Sequence, residues 1–199
     1  MYNVCMRDFN DEYKEQFESL RDLLAAMANE RSADSLAQVT VDHLAWDDDV
    51  SDVGIWFIGP GDICSSCAMA PVCPDQALCL HLLACAGPDA DESFLTRIPL
   101  EVGHVGRMFS SLKMVVVDDV AGDLDLPLTD SGRSGLPTGG GFLAVPMTYR
   151  GNMLGVLAML TVGAPLGGGQ LLGRRVIANI TAGALANARA FGEIERLRH

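Results

Sequence analysis

The chain has 199 residues, 49% of them hydrophobic and 20% charged, which excludes an acidic disordered polymer and predicts one folded unit with its own core. A formal net charge of −12 with only 14 Lys and Arg excludes the clustered basic surface that phosphate neutralisation needs, so no direct nucleic-acid partner is expected. No apolar run approaches the ~18 residues of a membrane span, and residues 1–10 lack the pattern of a signal peptide, so the expectation is a cytoplasmic protein without membrane contact.

Tyr13, Phe17, Leu20, Leu24 and Met27 draw one apolar stripe at helical spacing, predicting a first helix that ends near Glu30. Ser32 is placed to cap a second helix over 33–46, its hydroxyl accepting from a backbone N–H that the helix leaves unpaired. After the acidic run Asp47 to Asp49, Val53 to Ile58 predicts a first strand closed by the turn Gly59-Pro60-Gly61. Leu80 to Ala86 and Phe94 to Leu100 predict two more, with Pro99 at an edge or strand end. A short helix over Val102 to Leu112 and a strand over Met114 to Val117 come next, followed by a long loop from Val120 to Gly141, rich in Gly, Pro, Asp and Ser. Phe142 to Tyr149 and Leu154 to Val162 predict a hairpin around Arg150-Gly151-Asn152-Met153, with the left-handed turn conformations at Gly151 and Asn152. Gln170 to His199 lacks proline and predicts one long helix.

Five of the six cysteines, Cys64, Cys67, Cys73, Cys79 and Cys85, fall within 22 residues, the first four between the first strand and the second and Cys85 in the second; Cys5 carries no readable role. In a reducing compartment such a cluster reads as metal-binding or redox-active before it reads as a disulfide framework. Cys64, Cys67, Cys73 and Cys79 follow a C-x2-C-x5-C-x5-C spacing that supplies the four thiolates of a closed tetrahedral shell. A structural zinc, an iron–sulfur cluster, and disulfides or free thiols all remain open. Cys85 reads as a buried small residue or a reserve ligand, His81 as a structural histidine or a substitute ligand, and His43 as a helix histidine of either kind. Asp118-Asp119 and Asp123 to Asp125 read as turn-forming carboxylates, and Gly167 to Gly169 lacks the Lys-Ser/Thr of a phosphate loop, so no catalytic constellation is expected.

The run from Phe142 to Met159, FLAVPMTYRGNMLGVLAM, resembles the recurrent hairpin of GAF domains. Ile98-Pro99-Leu100 followed by Val102-Gly103-His104-Val105-Gly106 is similar to the strand and helix that precede that family's pocket, and 179–197 to the helix that leads from it into a kinase or ATPase. Cys64, Cys67, Cys73-Pro74-Asp75 and Cys79-Leu80-His81-Leu82 resemble a cysteine-rich bacterial signalling variant, such as the sensory module of a histidine kinase of a two-component system or of a sigma-54-dependent activator in transcription regulation. The resemblance implies an α+β fold: a GAF-like antiparallel sheet of five or six strands flanked by helices, with long helices at both ends. It implies an N-terminal helix over 1–31, a sensory domain over 32–170 with a Cys-rich insertion at 60–79, and a signalling helix over 171–199 that passes a ligand or redox signal to a covalently linked output domain. Trp56, His104, Met108 and Phe142 are its expected pocket residues.

Ile177, Ile180, Ala184, Asn187, Phe191 and Ile194 alternate at three and four residues like a coiled-coil seam, as do Phe17, Leu20 and Leu24. These stripes either pack on the chain's own sheet or join two chains in a parallel homodimer. A zinc-bearing scaffold without sensing, and a GAF-type methionine sulfoxide reductase, are the rival readings.

Overall fold

The computed structural model describes residues 14, 17–73, 78–136 and 139–198. Helix α1 occupies 17–27. The elements α2 (Ala33–Leu44), β1 (Val50–Pro60), β2 (Leu78–Ala86), α3 (Ala90–Ser93), β3 (Arg97–Pro99), α4 (Gly103–Ser111), β4 (Val115–Val117), α5 (Asp130–Ser134), β5 (Gly141–Tyr149), β6 (Asn152–Thr161) and α6 (Gly168–Leu197) follow. Cys5, Tyr13, Pro74 and Asp75 lie outside the described residues.

The strands form one six-stranded antiparallel sheet in the order β3-β2-β1-β6-β5-β4, which makes the fold α+β as the sequence resemblance implied. Alternation along the central strands divides the core in two. Val53, Ile55, Leu143, Val145, Met147, Leu157 and Met159 point to one face, where α1, α2 and α6 cover them with Leu23, Met27, Val41, Leu44, Ala178 and Leu185. Trp56, Phe142, Ala144, Val156, Ala158 and Leu160 point to the other, where Phe94, Ile98, Val105, Met108, Leu126 and Leu128 close over them. Both faces are covered, which is why β5 and β6 read as unbroken apolar runs.

Ser32 caps α2 as expected, its Oγ accepting from Ser35 N at 3.1 Å. The hairpin turn is tighter than the sequence suggested: Tyr149 pairs with Asn152, and the left-handed residues are Arg150 (φ 52°) and Gly151 (φ 81°), with Asn152 already in β6. Two-residue loops of this hand match the twist of the flanking strands. The third strand is also shorter than predicted. Phe94 makes an isolated bridge to Leu128 and Leu95 N donates to Pro127 O; the chain meets the sheet at Thr96, whose carbonyl accepts from Leu82 N at 2.9 Å, and β3 begins at Arg97. The long loop contains α5, capped by the Thr129 hydroxyl accepting from Gly132 N. No helix among the described residues is long and apolar enough to cross a membrane.

Candidate functional site

The turn after β1 and the strand β2 enclose a small cavity of about 20 Å³ lined by Cys64, Cys67, Cys73 and Cys79, with Asp62, Leu78, Arg97 and Pro99 among its other walls. The spaced cysteines of the sequence thus meet at one place. They do not form a closed shell: no three of these sulfurs lie within 4.8 Å of one another, whereas a tetrahedral zinc with bonds of about 2.3 Å sets its sulfurs about 3.8 Å apart. The donor set is of the thiophilic type, and closing it around an ion would require the loop to draw inward.

Arg97 anchors the cavity from β3. Its Nε donates to Asp62 Oδ1 at 2.9 Å and its Nη2 to Oδ2 at 2.6 Å, a bidentate pair. That hydrogen-bonded guanidinium holds the Asp62 carboxyl far below the usual carboxylate range. Because the folded value is the lower one, the pair contributes in full above the unfolded value of about 4 and is lost as acidification passes down through the folded value. Burial pushes the Cys79 thiol up, with Arg97 pulling against it.

The other candidates fall elsewhere. His81 Nε2 lies 2.8 Å from Pro60 O, so its ring is held by the turn. His43 Nε2 bonds Ser19 Oγ at 2.9 Å and ties α1 to α2. Cys85 Sγ donates to Asp91 Oδ1 at 3.0 Å, and burial together with that carboxylate pushes its thiol up to about 12. Only the thiolate alkylates readily, so at pH 8 we expect native Cys85 to react with iodoacetamide at least about 100-fold more slowly than an unperturbed thiol, as peptide mapping by mass spectrometry will read.

Trp56, His104, Met108 and Phe142 do come together, but as packing: all four are buried, and the His104 and Phe142 ring centroids are 6.0 Å apart. Trp56 stands edge-on to Phe94 at 5.0 Å, and its indole N–H donates to Leu95 O at 2.8 Å. His104 Nε2 bonds Asp123 Oδ2 at 2.7 Å while Arg107 donates to its Nδ1 at 2.6 Å and pairs with Asp125 at 2.9 Å. His104, Asp123 and Asp125 are the only metal-type trio within 4.8 Å among the described residues, and Arg107 already supplies their positive charge.

An open cleft of about 440 Å³ lies beside that core instead. Its apolar walls are Met69, Leu95, Ile98, Val102, Val105 and Leu128, with Asp125, Thr129, Asp130 and Arg133 as polar lining. Sequence reasoning missed it because its residues come from five separate stretches, most of them in loops without periodicity. Of the seam residues, Ile177 packs on the sheet, Leu20, Ile180 and Ala184 flank it, and Asn187, Phe191 and Ile194 are exposed. A second apolar cleft, of about 540 Å³, runs between α1 and α6 past Phe17, Leu20, Leu172 and Val176.

A single antiparallel sheet with terminal helices on one face and a loop-walled cleft on the other defines a small α+β domain. Within that class the chain has the GAF fold. It is similar to the GAF domain of an Acinetobacter phosphoenolpyruvate-protein phosphotransferase (17% identity, TM-score 0.64, 88% of this chain and 95% of that one). It is similar also to the A. aeolicus nlh2 GAF domain in an inactive state (12%, 0.62, 90% and 98%). A third is the free methionine-R-sulfoxide reductase of Neisseria meningitidis in complex with its substrate (21%, 0.65, 88% and 90%). No family model and no curated protein matches the sequence.

Proposed function

We propose that the chain is the sensory GAF domain of a cytoplasmic bacterial signalling protein, in which Cys64, Cys67, Cys73 and Cys79 hold a metal centre. The observation that carries this reading is the convergence of all four cysteines on one cavity. A cavity of about 20 Å³ is one water molecule in scale, which favours a single zinc ion over an iron–sulfur cluster. Cys64, Cys67, Cys73 and Cys79 would hold the ion, which would neutralise the mutual repulsion of their thiolates. The chain's own residues supply the thiolates, Arg97 as a cation in the wall, and α6 as the connection to a covalently linked output domain. The exposed Phe191 (61%) and Ile194 (49%), with Phe17 (67%) and Leu24 on α1, are the surface through which two copies associate.

Anaerobically purified protein is expected to hold one zinc per chain by elemental analysis, and the double variant Cys64→Ser/Cys67→Ser to lose it while keeping its circular dichroism. Iron with a visible absorption band assigns a cluster instead; protein with neither metal ends the reading. For the association, light scattering is expected to give a dimer for the wild type and a monomer for Phe191→Asp/Ile194→Asp.

A second reading rests on the resemblance to free methionine-R-sulfoxide reductases. Two cavity thiols would reduce the sulfoxide to the thioether, forming one disulfide and one water. Turnover of free methionine-R-sulfoxide with dithiothreitol as reductant, abolished in Cys64→Ser/Cys67→Ser, would establish it.

A further inference from the structure

We propose that the 440 Å³ cleft binds a small, neutral, largely apolar molecule, and that its occupancy and that of the cysteine cavity are linked through two walls the sites share; the linkage rests on the reading that the cavity takes a metal. The first wall is β3. Arg97 and Pro99 face the cysteine cavity, whereas Ile98 between them faces the cleft and is only 4% exposed. Alternation along a strand makes this wall one residue thick. The second wall is the segment 67–70: Cys67 and Ala70 line the cavity, Ala68 and Met69 the cleft. Ala70 N donates to Cys67 O at 3.0 Å and Val72 N to Met69 O at 3.1 Å, so two turn hydrogen bonds brace the segment. Pro99 also sits opposite Cys79 in the β2–β3 register.

Drawing the sulfurs together therefore displaces Met69 from the cleft wall. A ligand wedged against Met69 and Ile98 resists that displacement or assists it, and by reciprocity the metal alters the ligand's affinity by the same factor.

The lining sets the ligand class. A volume of 440 Å³ lies within the usual range for a small-molecule pocket. Its charged and polar groups are largely engaged: Arg133 donates to the carbonyls of Asp123, Leu124 and Leu126. The Thr129 hydroxyl donates to Glu92 O and accepts from Gly132 N, and Asp125 pairs with Arg107. What faces an incoming molecule is apolar, with the exposed Asp130 among the lining to disfavour anions.

The test titrates N-phenyl-1-naphthylamine, a neutral apolar fluorophore, into the full chain with and without zinc. We expect one probe per chain, a probe Kd that differs at least fivefold between the two forms, and a zinc Kd shifted by the same factor in the probe's presence. Met69→Glu, on a half-buried side chain, should abolish probe binding and leave zinc bound. Ala70→Trp fills the cysteine cavity without metal and should reproduce the shift; Ala70→Leu is the milder filler where Trp unfolds the chain. If the wild type takes no zinc, the metal reading alone fails and the cavity-filling variants decide the coupling. A probe Kd within fivefold across all these forms overturns the linkage, and undiminished binding to Met69→Glu overturns the cleft as the site.

Discussion

Trp56→Ala is expected to lower the unfolding free energy by about 3–5 kcal/mol, read as a shift of the urea midpoint, with a fall in Tm of roughly 10 °C. The indole has no exposed surface, fills the space between β1 and Phe94, and donates to Leu95 O. Truncation leaves a cavity and an unpaired carbonyl at once. The loss reaches beyond stability, because Leu95 lines the open cleft and its N–H binds Pro127 O. A Trp56→Phe variant, which keeps much of the volume but not the donor, should fall between Trp56→Ala and the wild type. A Trp56→Ala midpoint within about 1 kcal/mol of wild type would mean the ring is not the keystone of this layer.

Gly155→Ala should cost about 3 kcal/mol or leave the protein insoluble, the upper end of overpacking penalties. Gly155 faces Phe57 on one side and Met147 on the other in the sheet register. A Cβ there would collide with the Trp56 carbonyl oxygen and press on the Met147 methyl at 2.8 Å. Backbone cannot yield as a side-chain end does. Gly151→Ala provides the contrast: nothing lies near its would-be Cβ, so its penalty is the strain of φ 81° alone, about 1–2 kcal/mol. Equal stabilities for the two variants would refute the steric account.

That glycine also shows what was legible in the sequence. The Gly155-Val156-Leu157 motif carried the GAF resemblance, and its physical cause is the close approach of β1 to β6. The helices and the hairpin were readable because each repeats one spacing over many residues. Five-residue α5 was not, since it completes little more than one turn; the Thr129 cap was its only sign. Which residues wall the open cleft was not legible for a related reason. Trp56, Met108 and Phe142 are the residue types that line a pocket, but they are also the residue types that fill a core, and only tertiary packing separates the two roles. The cysteines were easier, because four thiols in a short stretch have few other reasons to converge.

Arg189 lies with its guanidinium 3.6 Å from the centre of the Phe57 ring, a cation–π clamp where α6 runs past β1. Beyond it the helix runs to Leu197 with its side chains in solvent. At 1.5 Å per residue that overhang is about 12 Å long, so a tilt of about 10° about the clamp swings its tip by about 2 Å. Phe57 lies on β1, the strand that runs on into the turn whose Asp62 lines the thiol pocket.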